Sequence, residues 1–112
     1  MGELDERNSS HRSVMERICR HCKAACTTLI TRTAENDIAL ASLTKAMVLD
    51  ALHFHVQARR RIFEERMDNA DIVYVVTSCD VCGVELYVKV KLLSRGGAEK
   101  MLVISAHPPR RW

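Results

Sequence analysis

Residues 84–92, Val84-Glu85-Leu86-Tyr87-Val88-Lys89-Val90-Lys91-Leu92, alternate without a break between apolar and polar side chains. A period of two belongs to a β-strand with one face buried and the other wet. A slip of one residue would turn Val84, Leu86, Val88, Val90 and Leu92 toward water, so the facing of this strand is fixed by its own sequence. Glu85, Tyr87, Lys89 and Lys91 share the opposite face. Side chains on one face of a strand repeat every ~7 Å, close to the spacing of phosphates along an extended nucleic-acid strand. The polar face is therefore a candidate phosphate-binding surface. Tyrosine and lysine are equally ordinary on any solvated sheet face or edge strand, and the pattern alone does not separate the two.

The rest of the chain must supply a cover for the apolar face. Its 112 residues are enough for one core, and 47% hydrophobic with 28% charged residues marks a globular chain. Ser13 and Glu16 form a capping box, after which Val14, Ile18, Cys22 and Ala25 recur at helical spacing, predicting a helix over 13–26. Thr27 to Thr31 is β-branched and extended. A second helical stretch covers 34–42 with Ile38 and Leu40 to Ala41 expected to point inward. Thr44 caps a further helix with Met47, Val48, Ala51, Leu52 and Val56 as its buried stripe. Residues 57–67 contain no Gly or Pro and either continue that helix or interrupt it near 57–61. Asp68 to Asp71 is a turn, and Ile72 to Thr77 reads as a strand buried on both faces. Turns at 78–83 and 94–99 then place three antiparallel strands in a C-terminal meander, the last over 101–106. The expected fold class is α+β: a two-layer domain over 13–112, its sheet packed on N-terminal helices, with 1–12 a disordered tail.

Net charge is +3, with positive residues clustered at Arg59-Arg60-Arg61, at Lys89, Lys91 and Arg95, and at Arg110-Arg111. A mild basic bias permits an anionic partner. No window is apolar for long enough to span a membrane and the N-terminus lacks a signal-peptide pattern, so a cytoplasmic protein with no membrane partner is expected. Five cysteines without an export signal argue against a disulfide framework.

In the last strand Leu102, Ile104 and Ala106 alternate against Met101, Val103, Ser105 and His107, and Pro108-Pro109 ends pairing. If register brings His107 to the polar face, a phenol, an ammonium and an imidazole converge at Tyr87, Lys89 and His107. Metal-free RNA cleavage needs such a set: a base for the 2′-OH proton, an acid for the leaving 5′-oxygen, and cations on the charged phosphorane. A lone histidine at a strand end is more often a surface residue.

Asn36 and Ala39-Leu40 leading into the 44–52 helix, the stretch Gly83 to Leu92 with its Tyr87-x-Lys89 strand, and Val103-Ile104-Ser105-Ala106-His107-Pro108 together resemble the MqsR-type messenger-RNA interferase toxins of bacterial toxin–antitoxin modules. The resemblance spans roughly 32–109. It implies a RelE-like antiparallel sheet packed on helices, metal-independent endoribonuclease activity on mRNA, and restraint by a cognate antitoxin. Tyr87 falls on the family's active-site tyrosine, Lys89 on the motif's lysine, and His107 on the basic residue that closes the last strand. The basic residue expected after the helix falls among Arg59, Arg60 and Arg61, with Arg60 as the catalytic candidate and Arg59 and Arg61 as RNA-binding neighbours. Lys91 and Arg110 complete the expected RNA-binding set. The glutamine expected on the strand before the hairpin has no counterpart in Asp71 to Val75.

A different class of function rests on cysteine. Cys79-Asp80-Val81-Cys82-Gly83 is written like a zinc knuckle, and Cys19-Arg20-His21-Cys22 offers a second pair. Four thiolates at Cys19, Cys22, Cys79 and Cys82 would make a structural zinc site in a nucleic-acid or protein-binding module without catalysis. Inert thiols packed as small hydrophobes, or a redox pair, are the other readings. His53 and His55, near a helix end, read as structural. Arg110, Arg111 and Trp112 are either a base-stacking tail or disordered.

Overall fold

The computed structural model describes residues 1–109, the Arg95 side chain excepted. Arg110, Arg111 and Trp112, with the RNA-binding expectation placed on Arg110, lie outside the described residues. In chain order the elements are β1 (Gly2–Glu3), α1 (Ser9–Cys22), a 3-10 turn (Ala25–Thr27), β2 (Thr28–Ile30), α2 (Arg32–Leu40), α3 (Lys45–Gln57), β3 (Phe63–Arg66), β4 (Ile72–Val81), β5 (Val84–Arg95) and β6 (Ala98–His107). The strands form one sheet in the order β1-β3-β4-β5-β6-β2, and only the β2–β6 pairing is parallel. The fold is α+β, as the alternation of β5 and the helical periodicities require. Its radius of gyration, 13.2 Å, matches the value of about 13 Å for one packed domain of this length.

β5 sits in the middle of the sheet and obeys its pattern. Leu86, Val88 and Val90 are 0–2% exposed against Ile18, Ile38, Val48 and Leu52 of the three helices. All three helices contribute to that one core cluster. β4 is buried on both faces over Val73–Val76, as its unbroken apolar run predicts. Cys82 and Gly83 make a two-residue hairpin, both with positive φ (52° and 85°), the backbone that matches the twist of paired strands. Among the described residues, no helix is long and apolar enough to cross a membrane.

Several boundaries differ from the sequence reading, each for a local reason. The first helix begins at Ser9, because Asn8, not Ser13, caps it by accepting from the Ser10 and His11 N–H groups. The segment 1–12 is not a disordered tail: Gly2 and Glu3 pair with β3, and Leu4 is buried in the core with its N–H on the Ile62 carbonyl at 2.9 Å. In α3 the buried stripe takes Leu49 in place of Met47, which is 38% exposed. That helix stops at Gln57 without glycine. Arg59 adopts φ 58°, its N–H returns to Val56 and that of Arg60 to His55, the pair of bonds of a Schellman cap. The chain then runs into β3, a strand the sequence reading did not include.

Two β-bulges interrupt the ladders on either side of β5. Thr77 and Ser78 together face Tyr87, between the pairs Val76↔Val88 and Cys79↔Leu86. On the other side Ile104 is the extra residue, between Lys89↔Ser105 and Val90↔Val103. A bulge re-aims every side chain beyond it. Strict alternation along β6 would put Ser105 and His107 on the face of Met101 and Val103. The bulge reverses that phase, so Met101, Val103 and Ala106 are buried, while Ser105 and His107 face away from the helices with their partners Lys89 and Tyr87.

Candidate active site

The face of the sheet opposite the helices carries the polar side chains of β5. Tyr87 and His107 are cross-strand partners, with ring centroids 5.2 Å apart and planes 18° from parallel. Lys89, one step along the same face, has its ammonium 6.0 Å from the Tyr87 ring centroid, within cation–π range. Opposite Lys89 stands Ser105. Val73 and Val75 share this face by register and are 1% and 0% exposed. Both lie outside the core cluster formed with the helices, and Val75 is the cross-strand partner of Lys89.

The protonation of the central pair follows from its contacts. His107 Nδ1 lies 2.8 Å from the Pro108 carbonyl oxygen. A carbonyl only accepts, so Nδ1 carries the proton and donates it, and in the neutral ring Nε2 keeps its lone pair. Burial pushes the Tyr87 phenol above its ordinary value, and the Glu65 carboxylate adds to the effect. At neutral pH Tyr87 therefore holds its proton as a donor, and Nε2 is the His107 nitrogen not engaged by the Pro108 carbonyl.

Lys91 is placed differently from its neighbour. It forms an ion pair with Asp71 at the start of β4, and that ammonium holds the Asp71 carboxyl below its ordinary value. Its charge is largely spent within the protein. Beside it, Asp71, Val73, Lys91 and Ile104 border a shallow depression of about 410 Å³ that continues the open face. A larger depression of about 710 Å³ lies between α1 and α3. Two of its cations are already paired, Arg59 with Glu6 and Arg7 with Asp5. The convergence of an acid, a base and a free cation places the candidate site on the sheet despite the smaller volume.

The three arginines after α3 are not gathered at Tyr87. Arg59 pairs with Glu6 at 2.7 Å, Arg61 approaches Glu3 at 3.8 Å, and Arg60 lies over the Phe54 ring at 5.4 Å. Glu3 belongs to the edge strand β1, at the opposite side of the sheet from β6. The cysteines differ in exposure. Cys22 and Cys79 are buried in the core, Cys19 is half-buried on α1, and Cys82 is exposed in the hairpin turn. The Thr77–Ser78 bulge is what turns Cys79 inward. Burial pushes the Cys22 thiol up to about 12 and that of Cys79 to about 11, so both are protonated thiols packed in the core. Among the described residues no group of three or more His, Cys, Asp or Glu side chains is placed to hold a metal ion.

The sequence reading left Asp71 and Ser105 without a role. Asp71 lies in a turn whose composition says nothing of a lysine twenty residues on. Ser105 stood there only as part of the Val103 to Pro108 motif, two residues before His107, whose face it shares. No family model, curated protein or solved structure matches this chain.

Proposed function

We propose that this chain is a metal-independent endoribonuclease that cleaves single-stranded RNA across the open face of its sheet. The observation that carries the reading is the stacked Tyr87–His107 pair with Lys89 beside it. His107 Nε2 removes the proton of a 2′-hydroxyl, and the 2′-oxygen attacks the adjacent phosphorus. Lys89 faces the charge of the phosphorane. The Tyr87 O–H gives its proton to the departing 5′-oxygen, leaving a 2′,3′-cyclic phosphate and a 5′-hydroxyl. Solvent returns a proton to Tyr87 and removes one from His107, so the step is balanced. Base, acid and cation are all side chains, which is why the chemistry needs no metal.

The resemblance to MqsR-type interferases supports messenger RNA as substrate and a cognate antitoxin as the restraining partner. The open face suits a single strand, whose bases and phosphates are both accessible to side chains. The test is purified protein with an mRNA transcript in excess EDTA. Cleavage is expected, and Tyr87→Phe or His107→Ala is expected to slow it by about two orders of magnitude. Intact RNA at every protein concentration would refute the proposal.

A further inference from the structure

We infer that Ser105 is the hydrogen-bond donor that seats the scissile phosphate, its hydroxyl engaging one non-bridging oxygen while Lys89 faces the other. The inference rests on the endoribonuclease reading and assigns a residue that reading leaves without a role. Tyr87↔His107 and Lys89↔Ser105 are successive cross-strand pairs on one face. Directly opposed side chains stand about 5 Å apart and successive ones about 7 Å. The four side chains thus mark the corners of a patch of phosphodiester size. Two corners move protons and one supplies charge. The fourth is a short hydroxyl, which donates one directional bond.

Ser105 faces this patch only because of the bulge at Ile104. In strict alternation it would point into the layer of Met101 and Val103, both almost fully buried, where a hydroxyl is costly without a partner. The bulge is itself held from outside the hairpin. Thr31 Oγ1 donates to the Ile104 carbonyl at 3.0 Å and accepts from the Ala34 N–H at 3.1 Å as the cap of α2. The helical layer therefore fixes the phase of β6, and with it the corner that Ser105 occupies. A preorganised donor of this kind acts on charge that develops in the transition state, so its loss is felt in kcat more than in KM.

The experiment uses synthetic RNA oligonucleotides spanning a cleavage site mapped with the wild-type protein, with oxygen or a single Rp or Sp phosphorothioate at that site. Sulfur is a poor hydrogen-bond acceptor, so the wild type should slow on one diastereomer. Ser105→Ala should lose about 100-fold in kcat on the oxygen substrate with KM little changed, and should show no further slowing on that diastereomer. Ser105→Thr, which keeps the hydroxyl, should recover most of the rate. Unchanged melting of Ser105→Ala would exclude misfolding as the cause. An active wild type with an equally active Ser105→Ala, or a thio effect that persists in the variant, overturns this assignment and leaves the endoribonuclease reading standing. A wild type that cleaves no RNA overturns both.

Discussion

In the proposed reaction Tyr87 and His107 divide the proton work because their surroundings differ. Burial raises the Tyr87 phenol above its ordinary value of 10.0, so it stays protonated further into the alkaline range than a free tyrosine. If that proton is the one given to the leaving oxygen, the pH–rate profile should show no loss between neutrality and pH 10, with decline only above it. A profile that falls near pH 8 to 9 would remove Tyr87 from the acid's role. His55 is a second instructive residue. Its Nε2–H donates to the Arg61 carbonyl at 2.8 Å, while Nδ1 is buried without a partner among the described residues. Burial, ahead of other effects, lowers its pKa from 6.5. A histidine depressed in the folded state binds its proton more readily when unfolded, so its contribution to stability is present above 6.5 and is lost as pH falls below that value. Thermal melts should therefore show stability beginning to drop just below pH 6.5, and His55→Phe should flatten that limb.

At the scale of elements the hinge of the design is β6. Its two ends obey opposite phases of the same period, and the change occurs at one residue, Ile104, tied to the first turn of α2 through Thr31. Thr31→Val removes the cap and the bond to the bulge together. The cap alone is worth about 1 kcal/mol, which lowers Tm by roughly 4–8 °C in a domain near this size. Cleavage should fall by more than the loss of folded protein explains, because Ser105 and His107 lose their fixed aim; circular dichroism melts and rates measured well below Tm separate the two. The periodicity of β5, the cap of α3 at Thr44 and the doubly buried run of β4 were all legible in the sequence, since each is written in residues that touch within the element. The strand β3 was not, and the helix stop at Arg59 stood only as one of two readings of 57–67. A Schellman cap normally announces itself with glycine, and an arginine forced into that conformation gives no such sign.

Over the whole molecule, one polar network fastens the helical layer to the sheet. Arg17 and His21 of α1 both reach Glu99 of β6, at 2.7 Å and 2.8 Å, and His21 Nδ1 meets Thr27 Oγ1 at 2.8 Å. Arg17 is the main reason the Glu99 carboxyl lies below its ordinary 4.5, with His21 adding to it. A carboxylate depressed on folding contributes stability that is complete above about 4.5 and lost as pH falls through its lowered value. Glu99→Gln should remove that acid limb below pH 4.5 while leaving the His55 limb near 6.5 in place. The charge distribution makes a separate prediction. Among the described side chains gathered at the site, Lys89 is the cation without an acidic partner, Lys91 being paired with Asp71. Each phosphate neutralised on a single strand contributes about −0.7 to the slope of log K against log salt. With one or two contacts the slope should be shallow, about −0.7 to −1.4, and Lys89→Ala should reduce it by about 0.7. A steep slope would mean that RNA binds elsewhere.

By itself the sequence determined the α+β class, the central strand and which of its faces is wet, because hydrophobic period is a property of consecutive residues. It also placed tyrosine and lysine on that face. Whether His107 would join them was decided only by tertiary structure, since a single inserted residue in β6 inverts the facing of everything after it, and that insertion is stabilised by a threonine more than seventy positions away. The same holds for the cysteines. Their spacing suggested a metal, yet a bulge in β4 sends one into the core while the turn leaves the other in water, a separation that pairing register creates and spacing along the chain cannot express.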